Sequence, residues 1–382
     1  MGKTQELTNC LEQCRCDEQE KTVICEGSSI TQLPQSIPSG FDALIIKNTT
    51  ISHLLKESFR KMDRLREIRI EECQQLESIE KLAFKGLRRL RLISIQNCPK
   101  LRELLKGSFS GIGNENGLKI RVETPIKIVH PGVFRHAQNL RELVITGEEM
   151  IVQKHAFSCI TQLDFLTLTG ISRIEPHLFM NSTRFYTVNI RESNFEIPKE
   201  AFTDLAHVHQ FLIQRSKLPL IGMDAFAGAS TIESLEFVDN SIGTISPHAF
   251  SGITNLGRLR ISRNVIKNLD SPEAVLSNAN QLRFEENIVG CNCGIKWIGA
   301  HPDRRLADSN YCGAIGVHRT LRNFIRLTCD PTSNFYQNTT KSPTNYTFNY
   351  KVTAHVSSSQ RNHLHFPIVI NLMLIFRFYQ IF

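Results

Sequence analysis

Between residues 41 and 286 the chain repeats an apolar-x-x-apolar-x-apolar motif. Its first position falls at Phe41, Leu65, Leu90, Glu115, Leu140, Leu163, Phe185, Val208, Ile232, Leu256 and Ala279, at intervals of 22 to 25 residues. LREIRIEEC from Leu65 and LGRLRISRN from Leu256 are representative. The alternation within each motif predicts a short strand with one buried face. A phenylalanine follows eleven residues after the ninth position at Phe84, Phe109 and Phe134, and nearby at Phe157, Phe179, Phe202, Phe226 and Phe250. One such unit cannot bury its apolar side alone. The pattern therefore predicts stacked units sharing a continuous core.

A stack exposes its core at both ends, and the cysteines lie where caps are needed. Cys10, Cys14, Cys16 and Cys25 form one group, and Cys291, Cys293, Cys312 and Cys329 the other. Both groups contain Cys-x-Cys, so zinc is the rival reading, but neither has the paired Cys-x2-Cys of a metal knuckle. Disulfides in an oxidising compartment are expected. Sequons at Asn48, Asn181, Asn338 and Asn345 point the same way and are the candidate glycosylation sites. Residues 1–9 contain no apolar stretch of the signal-peptide kind and read as a leader remnant. Cys73, Cys98 and Cys159 occupy the middle. Eleven cysteines in all leave at least one free or paired between chains.

The repeat resembles the leucine-rich repeat family, whose unit is L-x-x-L-x-L-x-x-N/C. The front, Cys-x3-Cys-x-Cys-x8-Cys followed by ITQLPQSIPSGFDALII, resembles that family's N-terminal cap. The back, LRFEENIVGCNCGIKW with Trp297, then Cys312 and Cys329, resembles its C-terminal cap. The resemblance implies an α/β repeat solenoid: a horseshoe with a parallel concave β-sheet and an irregular or 3-10 convex side, disulfide-capped at both ends. It further implies the pairs Cys10–Cys16, Cys14–Cys25, Cys291–Cys312 and Cys293–Cys329. The corresponding domains are an N-terminal cap (10–40), about ten repeats (41–286) and a C-terminal cap (287–329). The architecture is similar to that of extracellular proteins of the connectin, chaoptin and slit kind.

In that family an asparagine ladder at the ninth position joins the coils. Here only Asn240, Asn264 and Asn287 keep it, while earlier coils carry Thr49, Cys73, Cys98, Glu123, Glu148, Ile171, Ser193 and Ser216. Buried backbone needs partners, so less regular stacking is expected over the first two-thirds. Cys73 and Cys98 hold equivalent positions in adjacent coils, close enough for a bond between them to be the alternative, and read as free buried thiols.

The net charge, 45 − 37 = +8, is modest and does not suggest a nucleic-acid binder. The chain has no glycine-rich phosphate loop, Gly-x-Ser-x-Gly or His-Glu-x-x-His. His207 and His209, like His363 and His365, share a strand face but lack a third ligand, and read as surface histidines. The expectation is a non-enzyme without cofactor or metal, acting by recognition through its concave face. The exposed strand positions carry thirteen bases and twelve acids, so the face is no polyanion groove. Its less charged centre, Val144, Phe165, Thr167, Thr169, Tyr186 and Leu212, is the candidate site for a protein ligand or receptor. A secreted, non-catalytic subunit that stabilises a partner enzyme is the reading from another class. Arg304, Arg305, Arg319, Arg322 and Arg326 make the C-terminal cap basic, a second candidate site, for a sulfated glycan.

Residues 330–365 are rich in Asn, Thr and Ser and read as a polar, glycosylated stalk. Residues 366–382 form a hydrophobic tail. Ser357 to Ser359, a short spacer, and the apolar run Ile368 to Phe382 fit a lipid-anchor signal with attachment at Ser357. Asn371 and Arg377 depart from that signal, and a short or truncated membrane span and an unremarkable tail are the alternatives. Membrane contact is expected only through this tail.

Overall fold

The computed structural model describes residues 8–313 and 319–329, with the backbone alone at Thr8, Asn9, Cys10 and Glu115. Asn338, Asn345, His363, His365, Ser357, the stalk and the apolar tail all lie outside the described residues. The chain opens with an antiparallel trio, Thr8–Leu11, Cys14–Asp17 and Thr22–Glu26. From Thr22–Glu26 onward the strands run parallel, coil after coil, to Gln281–Glu285. This sheet is the concave face of a leucine-rich-repeat solenoid. A second parallel sheet, from Lys217–Ile221 to Tyr311–Cys312, lines the later coils after the strand corner. Turns build most of the far side, and among the described residues α-helix is confined to the C-terminal cap at Lys296–Ala300, Arg305–Asp308 and Leu321–Phe324.

Alternation decides which residues enter the core. Ile68 and Ile70, and Leu166 and Leu168, are fully buried, while Arg69 between the first pair is exposed and Thr167 between the second is partly covered. Behind the sheet the recurring phenylalanines form a spine. Phe59, Phe84, Phe109, Phe134, Phe157 and Phe179 stack in turn, with centroids 5.2 to 6.1 Å apart and planes 2 to 24° from parallel. From Phe179 on the rings tilt, because Phe185 and Phe211 push edge-on against the spine at 5.1 and 4.8 Å.

Two lines of hydrogen bonds satisfy the buried backbone between coils. On the far side one residue per coil sits in the left-handed region and donates its N–H to its counterpart in the next coil. Glu57, Leu82, Gly107, Gly132, His155, His177, Glu200 and Asp224 form this line, at N···O distances of 2.9 to 3.4 Å. Only two of these are glycine, so the line holds non-glycine residues in a conformation that costs each of them about 1–2 kcal/mol.

The other line is the ninth-position ladder. Ile171 N–H donates to Ser193 Oγ at 3.1 Å and Ser193 N–H to Ser216 Oγ at 3.2 Å. Ser216, Asn240, Asn264 and Asn287 then donate to the next Oδ1 in the series Asn240, Asn264, Asn287 and Asn310, at 2.8 to 3.0 Å. Serine thus does asparagine's work in two coils, and Asn310 carries the ladder into the C-terminal cap, a position the repeat pattern did not reach.

The fourth coil corrects the sequence frame. Leu118, not Glu115, pairs with Leu140, and the buried run is Leu118, Ile120, Val122. The ladder residue is Thr124, whose Oγ1 accepts from Cys98 N–H at 3.1 Å and donates to Cys98 O at 2.6 Å. Glu123 and Glu148 are exposed instead, and Met150 fills the next ladder position opposite Ile171. Burying a carboxylate there without a partner would cost several kcal/mol. The strands bulge to avoid it, with register breaks between Glu123 and Ile126 and between Thr146 and Met150.

Cys14 is bonded to Cys25, Cys291 to Cys312 and Cys293 to Cys329. Cys16 is also disulfide-bonded. The side chain of its expected partner, Cys10, lies outside the described residues. Cys73 and Cys98 are free and buried, and Cys159 is free and exposed.

Candidate functional site

The concave strands place the candidate residues in rows. Val144, Thr167, Asn189 and Leu212 are in register across four neighbouring strands, and Glu142, Phe165, Thr187 and Gln210 form the row beside them. Phe165 and Tyr186 are half exposed, at 50% and 52%, and no other Phe, Tyr or Trp among the described residues is as open to solvent. Their rings meet edge to face at 6.2 Å. Val144, Thr167, Thr169 and Leu212 are partly buried around them.

The structure adds two residues that the sequence pattern marks only as ordinary surface histidines. His209 stacks on Tyr186, with centroids 4.5 Å apart and planes 17° from parallel. Its Nδ1 lies 2.6 Å from Glu233 Oε2, and His207 Nε2 lies 3.0 Å from Glu233 Oε1. The His209 hydrogen bond, outweighing the opposing effect of burial and aided by the two imidazoles, holds the Glu233 carboxyl below the usual carboxylate range. No signal in one strand points to this cluster, since each contact spans a full coil. Among the described residues no group of three or more His, Cys, Asp or Glu is arranged to hold a metal ion.

Polar pairs bound the patch on both sides. Toward the N-terminus, Arg121 Nη2 meets Glu142 Oε1 and Arg141 Nη1 meets Asp164 Oδ2, each at 2.8 Å. Toward the C-terminus the nearly buried Glu236 accepts from Gln210 and Ser234 at 3.0 Å each and lies 3.6 Å from Arg260. An aromatic centre inside a polar surround is the anatomy of a protein-binding hot spot. At the glycosylation candidates, Asn48 and Asn181 are both exposed.

Parallel concave strands, an interior ladder and disulfides near both ends define an extended recognition scaffold of the leucine-rich-repeat class. The chain belongs to the BspA-type leucine-rich repeat family, whose model matches residues 49–185 and 172–288 with six copies. Among solved structures, human 5T4 (Wnt-activated inhibitory factor 1, trophoblast glycoprotein) is 13% identical over 83% of this chain and 97% of that one, with a TM-score of 0.39. A chain of the octameric complex of Latrophilin 3, Unc5D and FLRT2 is 16% identical over 82% of this chain and 96% of that one, with a TM-score of 0.36. A chain of the mouse RP105/MD-1 complex is 15% identical over 75% of this chain and 52% of that one, with a TM-score of 0.34.

Proposed function

We propose that the protein is a non-catalytic, extracellular or cell-surface recognition protein that binds a protein ligand or receptor through its concave face, in adhesion, guidance or ligand capture. The supporting observation is the pair of half-exposed aromatic rings, Phe165 and Tyr186, in the middle of a sheet whose other large aromatics are buried. Exposed aromatics are costly to leave in water and gain most when a partner covers them. The disulfides support an oxidising compartment. Tethering through a lipid at Ser357 and N-glycosylation at Asn48, Asn181, Asn338 and Asn345 belong to the same proposal.

A screen against arrayed extracellular proteins tests it, using the secreted chain and its F165A/Y186A variant side by side. Partners should bind the native chain and lose at least about tenfold in affinity for the variant, as truncation of a hot spot does. Partners that bind both equally would move recognition off this face. An enzyme that binds the chain and is stabilised by it would favour the subunit reading.

A further inference from the structure

The third coil is longer than its neighbours. Counting from Leu90 to Leu118 it spans 28 residues, against 22 from Leu118 to Leu140. The additional residues bulge as a loop around Gly113 and Asn114 within the strand Gly113–Val129, whose register breaks between Gly113 and Leu118. Asn114 is buried and ties the loop down, its Nδ2 donating to Arg89 O at 2.9 Å and to Leu90 O at 3.0 Å. Its Oδ1 accepts the N–H of Asn116 at 2.8 Å. Gly113 packs so closely on the next coil that a Cβ there would fall 2.8 Å from Gln138 Cβ. The loop is therefore built into the fold.

Beside it a cavity of about 740 Å³ opens to solvent, lined by Arg66, Arg88, Arg89 and Arg91 together with His136 and a set of side-chain amides. The described lining residues include no carboxylate. Arg66 has Asp42 at 3.4 Å, while Arg88, Arg89 and Arg91 make no ion pair among the described residues. Three guanidiniums with no ion-pair partner among the described residues repel one another around one concavity, and an anion entering it would gain from all three at once. Guanidinium forks match sulfate bidentately. The volume lies in the range of ligand pockets and exceeds what a single oxyanion needs. The amides of Asn116, Gln138 and Asn139 supply donors and acceptors of the kind that sugar hydroxyls pair with. A peptide would need apolar anchors, and Ile112 is the sole aliphatic side chain in the described lining.

We propose that this cavity binds a segment of sulfated oligosaccharide, with Arg88, Arg89 and Arg91 engaging its sulfates. The site is separate from the aromatic patch and independent of what binds there. It is better suited to an anion than the basic C-terminal cap, where Arg305 is paired with Asp303 and Arg322 with Asp308.

The test is a calorimetric titration of the full chain, produced through the secretory pathway, with a heparin-derived octasaccharide at two salt concentrations. Its desulfated counterpart and a polyglutamate peptide serve as comparators. Substituting Arg88, Arg89 and Arg91 together by Gln should weaken binding at least about tenfold and flatten its salt dependence, since released counterions scale with charge contacts. The cap variant R304Q/R326Q should stay within about threefold of the native chain, because solvated single charges contribute little. The single variant R89Q, an exposed position, should lose affinity in the same direction and covers the case in which the triple variant unfolds. Binding unchanged in R89Q and the triple variant, equal loss in the cap variant, tighter binding of polyglutamate or no binding by the native chain would each overturn the proposal.

Discussion

Tyr186 lies flat against the imidazole of His209 at 4.5 Å, and His209 in turn holds Glu233 at 2.6 Å. An exposed aromatic of the candidate recognition site is thus coupled to a carboxylate one coil further on. A carboxyl whose folded pKa is depressed contributes stability above its unfolded value, and that contribution is lost as pH falls through the folded value. Glu233 is such a group. Melting curves of the native chain and Glu233→Gln should therefore differ above pH ~5 and converge as pH falls below the ordinary glutamate value of about 4.3. The side chain is 46% exposed, so the difference should stay under about 1 kcal/mol. A gap that widens toward low pH would contradict the assignment.

The asparagine ladder makes a sharper demand. Asn264 Nδ2 donates to Phe237 O at 2.8 Å while its Oδ1 accepts from Asn240 N–H at 2.8 Å, all of it buried. Asn264→Ala would strand a carbonyl and an N–H together, and should cost about 3 kcal/mol in denaturant unfolding. Asn268→Ala, on the exposed side of the same coil, should stay within about 0.5 kcal/mol.

Stability and recognition should separate cleanly among the aromatics. Phe109 is fully buried between Phe84 and Phe134, with centroids at 5.6 and 5.5 Å. Phe109→Ala should lose about 3–5 kcal/mol, because the spine cannot collapse around the hole. Phe165→Ala, half exposed, should unfold within about 0.5 kcal/mol of the native chain while affecting binding.

The free cysteines should differ in reactivity. Cys73 and Cys98 are buried, and Thr49 Oγ1 lies 3.3 Å from Cys73 Sγ. The Cys98 thiol, hydrogen-bonded to Cys73 and desolvated, is held above the ordinary thiol range. Cys159 is exposed. A maleimide should add once to the native chain, at Cys159, and three times after unfolding without reduction, as intact mass will show. Rapid labelling of Cys73 in the native state would contradict the burial.

Much of this architecture is legible in the sequence because burial enforces it. The two-residue alternation, the period and the recurring phenylalanines all report a shared interior, and the cysteine groups report the ends. The slip in the fourth coil is hidden for the same reason. Leu118, Ile120 and Val122 alternate, so a shift by two keeps every side chain on its proper face. Lys119 and Arg121 therefore fall on the concave face in either frame. What the pattern does not carry is contact between coils. Tyr186 and His209 are 23 residues apart, and nothing in either strand marks the stack. The arginine cavity is invisible for a related reason, since it arises from an irregular loop that the repeat frame absorbs.

The most direct test of recognition through the concave face works before any partner is identified. A photoreactive phenylalanine analogue placed at Tyr186, and separately at the exposed far-side residue Lys85, would be carried by the secreted chain onto intact cells and irradiated. The account predicts a discrete adduct from position 186 that excess unlabelled chain suppresses, and none from position 85. Adducts from position 85 alone would place recognition on the other side of the solenoid.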